Sequence, residues 1–180
     1  MANVEQVTKA ASFMKVAPGK IGYNAEKIIT RYIPKTNESI SGFSSIIQSI
    51  ARESKNDVIR DSFTDIETEL QVAQWVDYSV LYVSPASKDK HVSKALLEEL
   101  NKQLESRSYL VNHTLTLADV VVFYAIQETM ANLPLLDKEH YLNVSRWYDH
   151  LQQQKAIRQD ETLINFSTLH LLGWATGTHI

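Results

Sequence analysis

The side chains able to do chemistry in this 180-residue sequence are few, and their spacing decides what they can do. Six histidines are scattered at His91, His113, His140, His150, His170 and His179. None has the close spacing that would bring two imidazoles together on one helix face around a metal ion. There is no cysteine, so thiol catalysis, disulfides and cysteine-ligated zinc are excluded. Pro18-Gly19-Lys20 lacks the glycines of a phosphate-cradling loop, and no Gly-x-Ser-x-Gly elbow occurs. A triad is left open, because its members need not be neighbours in sequence. No catalytic residue, metal ligand or cofactor is assigned.

One carboxylate stands in an informative setting, the segment Leu115-Thr116-Leu117-Ala118-Asp119-Val120. Thr116 and Asp119 have the spacing of a capping box, in which the hydroxyl accepts a first-turn amide and the carboxylate reaches back to the cap. Leu115 and Val120 have the spacing of a hydrophobic staple. The apolar run that follows marks the start of a buried helix, whose end amides cannot rely on water. Asp119 is therefore read as a structural cap in preference to a catalytic acid.

The elements that must position these groups follow from periodicity. Val4, Val7, Ala11 and Met14 predict a helix over 3–15, ended by Pro18-Gly19. Ile28, Ile29, Tyr32 and Ile33 suggest a short strand limited by Pro34, and Ile40 a second. Phe43, Ile46, Ile47, Ile50 and Ala51 line one side of a helix over 44–53. Residues 52–63 are charged and read as a linker. Beyond it the chain is helical. A stripe of Ile66, Leu70, Ala73, Val76 and Val80, widened by Trp75, Tyr78 and Tyr82, predicts a helix over 65–83 that Pro85 stops. Val92, Leu96, Leu100 and Leu104 predict one over 88–105. Residues 117–130 are apolar nearly all round, as a central helix should be. Val144, Trp147, Tyr148 and Leu151 predict a helix over 141–153, and a last helical stretch is expected over 155–165.

The composition fits a globular chain: 44% hydrophobic, 22% charged, 5 glycines and 4 prolines. A formal charge of −3 offers no concentrated basic face for nucleic acid. The densest basic run, Lys88, Lys90 and Lys94, is diluted by Asp89, Glu98 and Glu99. Little direct nucleic-acid binding is expected. The start, Met-Ala-Asn-Val-Glu-Gln, does not resemble a signal peptide, and the longest apolar stretch is too short to cross a bilayer. An intracellular protein is the expectation.

Thr116-Leu117-Ala118-Asp119, after Ser108-Tyr109-Leu110, resembles the capping region of glutathione-transferase C-terminal domains. Tyr141-Leu142-Asn143-Val144-Ser145-Arg146-Trp147-Tyr148 is similar to the helix that follows in that fold. Together with residues 36–51, these segments resemble the glutathione-transferase-like auxiliary subunits of the multi-aminoacyl-tRNA-synthetase complex. The resemblance implies a reduced thioredoxin-like α/β part over 1–55, a linker over 56–64, an all-α bundle over 65–169 and a tail over 170–180. It implies a non-catalytic scaffold that binds the glutathione-transferase-like domain of methionyl-tRNA synthetase and bridges to glutamyl-prolyl-tRNA synthetase and other scaffold proteins of the complex. It implies a cytoplasmic protein with entry to the nucleus and a role in the DNA-damage response.

Glu38-Ser39 is similar to the pair that holds the glutamyl end of glutathione in the enzymes, so a glutathione-dependent transferase is kept as an alternative. The activating hydroxyl and the proline edge of those enzymes have no convincing counterpart, because Ser12 and Tyr23 follow no clear strand and Pro34 comes late. A homodimer in isolation is the other alternative. The first expected docking surface comprises Phe43, Ile47, Ile50, Arg52, Trp75, Tyr78 and Tyr82, since aromatic residues are enriched at interface centres. The second comprises Arg146, Tyr148 and Asp149, beside a charged loop at 137–140.

Overall fold

The central helix, α7 (Leu117–Asn132), is buried on nearly every side and the other elements are arranged around it. They are described here from a computed structural model covering residues 4–34, 36–87, 89–111 and 113–167. The tail expected over 170–180 lies outside the described residues.

The N-terminal part begins with α1 (Val4–Phe13), which turns Val7, Ala10, Ala11 and Phe13 inward. A meander follows: β1 (Lys20–Tyr23), β2 (Ile29–Ile33) and β3 (Glu38–Ser41), in sheet order β1-β2-β3 with both pairs antiparallel. β1 has no apolar alternation of its own and escaped the periodicity. It exists through its ladder to β2, with Lys20 opposite Tyr32 and Tyr23 opposite Ile29. Gly19 enters this ladder at φ 75°, where a Cβ would lie 2.8 Å from the Tyr32 carbonyl oxygen. Only glycine tolerates both conditions. Helix α2 (Phe43–Glu53) then lays Phe43, Ile46, Ile47 and Ile50 against the sheet and α1.

Arg31 pins this part together from inside β2. It is 2% exposed. Its guanidinium donates to Glu53 at 2.7 and 3.2 Å, to Ser49 Oγ at 3.1 Å and to the carbonyls of Ala17 and Pro18. A buried guanidinium is tolerable only with its fork satisfied in this way.

Between the two parts the charged segment does not run free. It forms a short helix, α3 (Asp57–Asp61), capped by the Asn56 side chain on the Val58 amide and anchored by fully buried Ile59.

Helix α4 (Ile66–Tyr78) is capped by Asp65 on the Thr68 amide. It passes into a π-helical turn, Ser79–Val83, and one further turn, α5 (Ser84–Ala86). Its buried face is Thr68, Val72, Val76, Ser79 and Val83. The expected stripe is therefore displaced: Ile66 is 71% exposed and Leu70 62%. Apolar groups occupy two sides of this helix, and contact with α7 selects the Val72–Val76 side.

The bundle is completed by α6 (Lys90–Gln103), α8 (Leu135–His140), α9 (Leu142–Gln152) and α10 (Lys155–Arg158). The charged loop expected at 137–140 is helix α8. Its Lys138 is buried, with the ammonium 5.3 Å from the centre of the Phe166 ring. The last helix is shorter than expected, because Gln159 takes φ 56° and turns the chain back across the bundle.

Candidate protein-docking surface

On the face that combines α2 and α4, two large apolar groups stand in the open, as Leu81, Leu136 and Leu142 do elsewhere on the surface. Ile66 and Leu70 stand one turn apart on α4, with Ala73 continuing the row. Beside them Arg52 from α2 donates to Glu69 at 3.3 Å, a solvent-exposed pair at the rim. Farther along, the Ser44 hydroxyl of α2 donates to the Asp77 carboxylate of α4, tying the two helices into one platform. A row of exposed apolar residues on a rigid helical pair, edged by ionic groups, has the anatomy of a protein interface.

A second side of α4 carries the aromatic residues. Trp75 meets Tyr78 edge-on at 5.3 Å, and Tyr78 meets Tyr82 at 5.1 Å. Trp75 and Tyr78 are half-buried, while Tyr82 is 59% exposed. The Tyr78 hydroxyl donates to Glu99 of α6 at 2.8 Å. Burial first, and then the neighbouring Glu99 carboxylate, push its pKa well above the phenol range. Tyr78 thus stays a neutral donor.

Several residues expected at docking surfaces are not on one. Phe43, Ile47 and Ile50 point inward and belong to the core of the α/β part. Helix α2 has one apolar face, and the sheet and α1 use it up. Tyr148 is 2% exposed and stacks on Phe123 at 4.4 Å. Of the second expected surface, Arg146 and Asp149 remain accessible. Arg146 donates to the carbonyls of Leu104 and Arg107, both at 3.0 Å, and so secures the end of α6. The Asp149 carboxylate accepts from the side-chain amides of Gln152 and Gln153.

Glu38 and Ser39 lie in strand β3, paired with Ile33 and Tyr32. The next helix starts four residues later, with Gly42 at its cap. The pair is therefore not aimed by a helix N-terminus, as a glutamyl-binding pair would have to be. Every peptide bond among the described residues is trans. No cluster of potential metal ligands occurs among the described residues.

Thr116 and Asp119 form the expected capping box, with Asp119 accepting from the Thr116 amide at 3.0 Å. Asp119 also accepts from the Thr116 hydroxyl at 3.1 Å, the Leu110 amide at 2.9 Å and the Trp147 indole at 2.9 Å. Burial pushes the Asp119 pKa above the usual carboxylate value, and these donated bonds pull against that. The residue joins the loop before α7 to helix α9. A further partner escaped the sequence: buried Ser62, after α3, accepts from the Leu117 amide at 3.0 Å and satisfies another amide of the α7 start. In the same way Asn101 of α6 accepts from the Asn143 and Val144 amides at the start of α9. Neither has a local signal, since each partner lies tens of residues away.

Known proteins resemble this chain at two levels. A family model described as the nuclear-export cofactor Arc1p matches residues 71–155. The eukaryotic translation elongation factor 1 epsilon-1 of Mus musculus is 30% identical over 167 residues, covering 92% of this chain and 94% of its own length. A bifunctional glutamate/proline–tRNA ligase of Cricetulus griseus is 30% identical over 96 residues, which are 53% of this chain and 6% of that one. Among solved structures, a class Gtt2 glutathione S-transferase of Vibrio parahaemolyticus superposes with a TM-score of 0.64 at 15% identity, covering 86% of this chain and 92% of that one. The fold is glutathione-transferase-like: a small α/β part followed by an all-α bundle.

Proposed function

Since the chain belongs to the eukaryotic translation elongation factor 1 epsilon-1 family, we propose that it is a non-catalytic scaffold subunit of an aminoacyl-tRNA-synthetase assembly in the cytoplasm. The observation that carries this reading is the open apolar row of Ile66 and Leu70 on the α2–α4 platform, rimmed by Arg52 and Glu69. A partner with the same fold offers a matching helical platform, and docking one on the other would cover both rows. The segment shared with a glutamate/proline–tRNA ligase supports a synthetase-borne domain as that partner.

In the finer reading, this platform binds the glutathione-transferase-like domain of methionyl-tRNA synthetase. The accessible Arg146–Asp149 region of α9 then bridges to glutamyl-prolyl-tRNA synthetase. Work in the nucleus during the DNA-damage response is part of the same reading. The test is co-elution of the chain with the methionyl-tRNA synthetase appendage at micromolar concentrations on a sizing column. A single early peak is expected, lost in an Ile66→Glu/Leu70→Glu variant with an unchanged circular dichroism spectrum. Separate elution of the unaltered pair would sink the proposal.

The same apolar row supports a second reading, a homodimer in the absence of partners. Light scattering across a concentration series decides it: a mass twice the monomer's that falls on dilution is the expected sign.

A further inference from the structure

The sheet ends at β3, and no described strand pairs with the far side of that strand. The pairing of β3 with β2 fixes which groups the far side offers. The Gly42 amide donates to the Ile29 carbonyl at 2.9 Å, and along an antiparallel ladder hydrogen-bonded pairs alternate with unbonded ones. Ile40 and Glu38 therefore bond to Arg31 and Ile33 of β2. The backbone amides and carbonyls of Ser39 and Ser41 point the other way, and both residues are exposed. Many edge strands are guarded by Lys, Pro or a covering element. Ser39-Ile40-Ser41 has neither residue, and no cover among the described residues.

Beside this edge runs a groove of about 660 Å³. Its floor is Ile33 and Ile40, half-buried on the face of the sheet that also holds buried Arg31. Its wall is the flank of α2 formed by Ser45, Gln48 and Ser49. The short serine side chains of this flank leave room between helix and edge. Two of the charged groups in the groove are already matched: Glu53 by Arg31 at 2.7 Å and Arg52 by Glu69 at 3.3 Å. Glu38, opposite Ile33 in the ladder, has no ion pair among the described residues. The unmatched charge is negative.

We propose that the β3 edge and this groove bind an extended segment of a partner protein as a fourth, antiparallel strand. Backbone bonds to Ser39 and Ser41, each giving its amide and its carbonyl, hold the segment. In that register the side chain opposite Ile40 enters the groove and is apolar. Two residues further on, the side chain opposite Glu38 lies on the same face. It is basic, because an opposite-charge pair across strands is favourable and a like pair is not. The occupant is thus a strand with an apolar residue followed two positions later by Lys or Arg. This goes beyond the scaffold reading and does not rest on it, because an added strand uses the backbone of β3 and neither Ile66 nor Leu70.

The test is a nuclear magnetic resonance titration of the isotope-labelled full chain with the end-capped peptide Thr-Val-Thr-Ile-Thr-Lys-Thr. Its Ile is placed to meet Ile40 and its Lys to meet Glu38. Saturable shifts centred on the Ser39 and Ser41 amides are expected. N-methylation of the third and fifth peptide residues, whose amides face β3, should abolish them. N-methylation of the fourth, whose amide faces away, should not. Ser39→Pro removes an outward amide and spares the ladder to β2, so binding should be lost with an unchanged circular dichroism spectrum. Glu38→Gln should weaken binding about threefold, the size of one cross-strand charge pair. Ile66→Glu/Leu70→Glu should leave it unchanged. No saturable shift overturns the proposal, and so do shifts centred elsewhere or binding that survives N-methylation of the third and fifth residues. Ser39 and Ser41 shifts that grow with chain concentration in the absence of peptide would assign the edge to a second copy and overturn it too.

Discussion

Asp119 receives four hydrogen bonds where water does not reach. Asp119→Ala would strand the Leu110 amide and the Trp147 indole together with the cap of α7. Each buried donor without an acceptor costs about 1–3 kcal/mol, so a loss on the order of 3 kcal/mol is expected in urea unfolding. Asp119→Asn keeps one acceptor oxygen and should cost less. Thr116→Ala removes the hydroxyl of the box and should cost about 0.5–2 kcal/mol. If Asp119→Ala unfolds at the denaturant midpoint of the unaltered chain, the carboxylate is not the joint described here. Arg31 acts similarly in the α/β part, and Arg31→Ala should lower the midpoint by leaving two backbone carbonyls and Glu53 without their donor.

At the scale of elements, the stretch after α10 works as a clasp. Gln159 donates to the Lys9 carbonyl of α1 at 2.7 Å and to the Tyr124 hydroxyl of α7 at 2.9 Å. Lys9 and Glu161 close it at 2.6 Å. The Lys9 hydrogen bond holds the Glu161 pKa below its usual value of 4.5. Its stabilisation is thus complete above that value and fades as pH falls through the lower folded-state pKa. Lys9, raised above 10.5, contributes below that value and loses the contribution as pH rises through its folded-state pKa. Protection of the amides of residues 157–164 against exchange, taken relative to the intrinsic rate at each pH, should therefore be highest between these limits and fall on acidification. In Glu161→Gln the acid limb should vanish; an acid limb that persists would assign the loss of protection to other carboxylates.

At the scale of the whole molecule, the apolar row of α4 sits outside while the same helix supplies the core through Val72 and Val76. Charged substitutions at Ile66 and Leu70 should leave thermal stability within about 0.5 kcal/mol, as exposed positions do. They should abolish co-elution with a synthetase-borne partner. Val76→Asp should do the reverse in kind, unfolding the chain and losing partners only as a consequence. Because the row is apolar, the complex should tolerate moderate salt, whereas an assembly through nucleic-acid phosphates would dissociate steeply.

Local pattern alone was enough for α7, its capping box, the existence of apolar sides on α1, α2 and α9 and the absence of thiol chemistry. Those features depend on residues within one or two turns of each other, or on composition. Tertiary structure decided the rest. β1 has no signal of its own because its hydrogen bonds are all to β2. Glu38-Ser39 falls in a strand rather than at a helix start, because the sheet extends to Ser41 before α2 begins. Phe43, Ile47, Ile50 and Tyr148 look like docking residues in sequence and are core in the fold. Ile66 and Leu70 look like core and are surface. Periodicity reports that a helix has apolar sides, but which side is covered depends on the neighbours that arrive from elsewhere in the chain. For α4 that neighbour is α7, whose approach along Val72 and Val76 leaves Ile66 and Leu70 open.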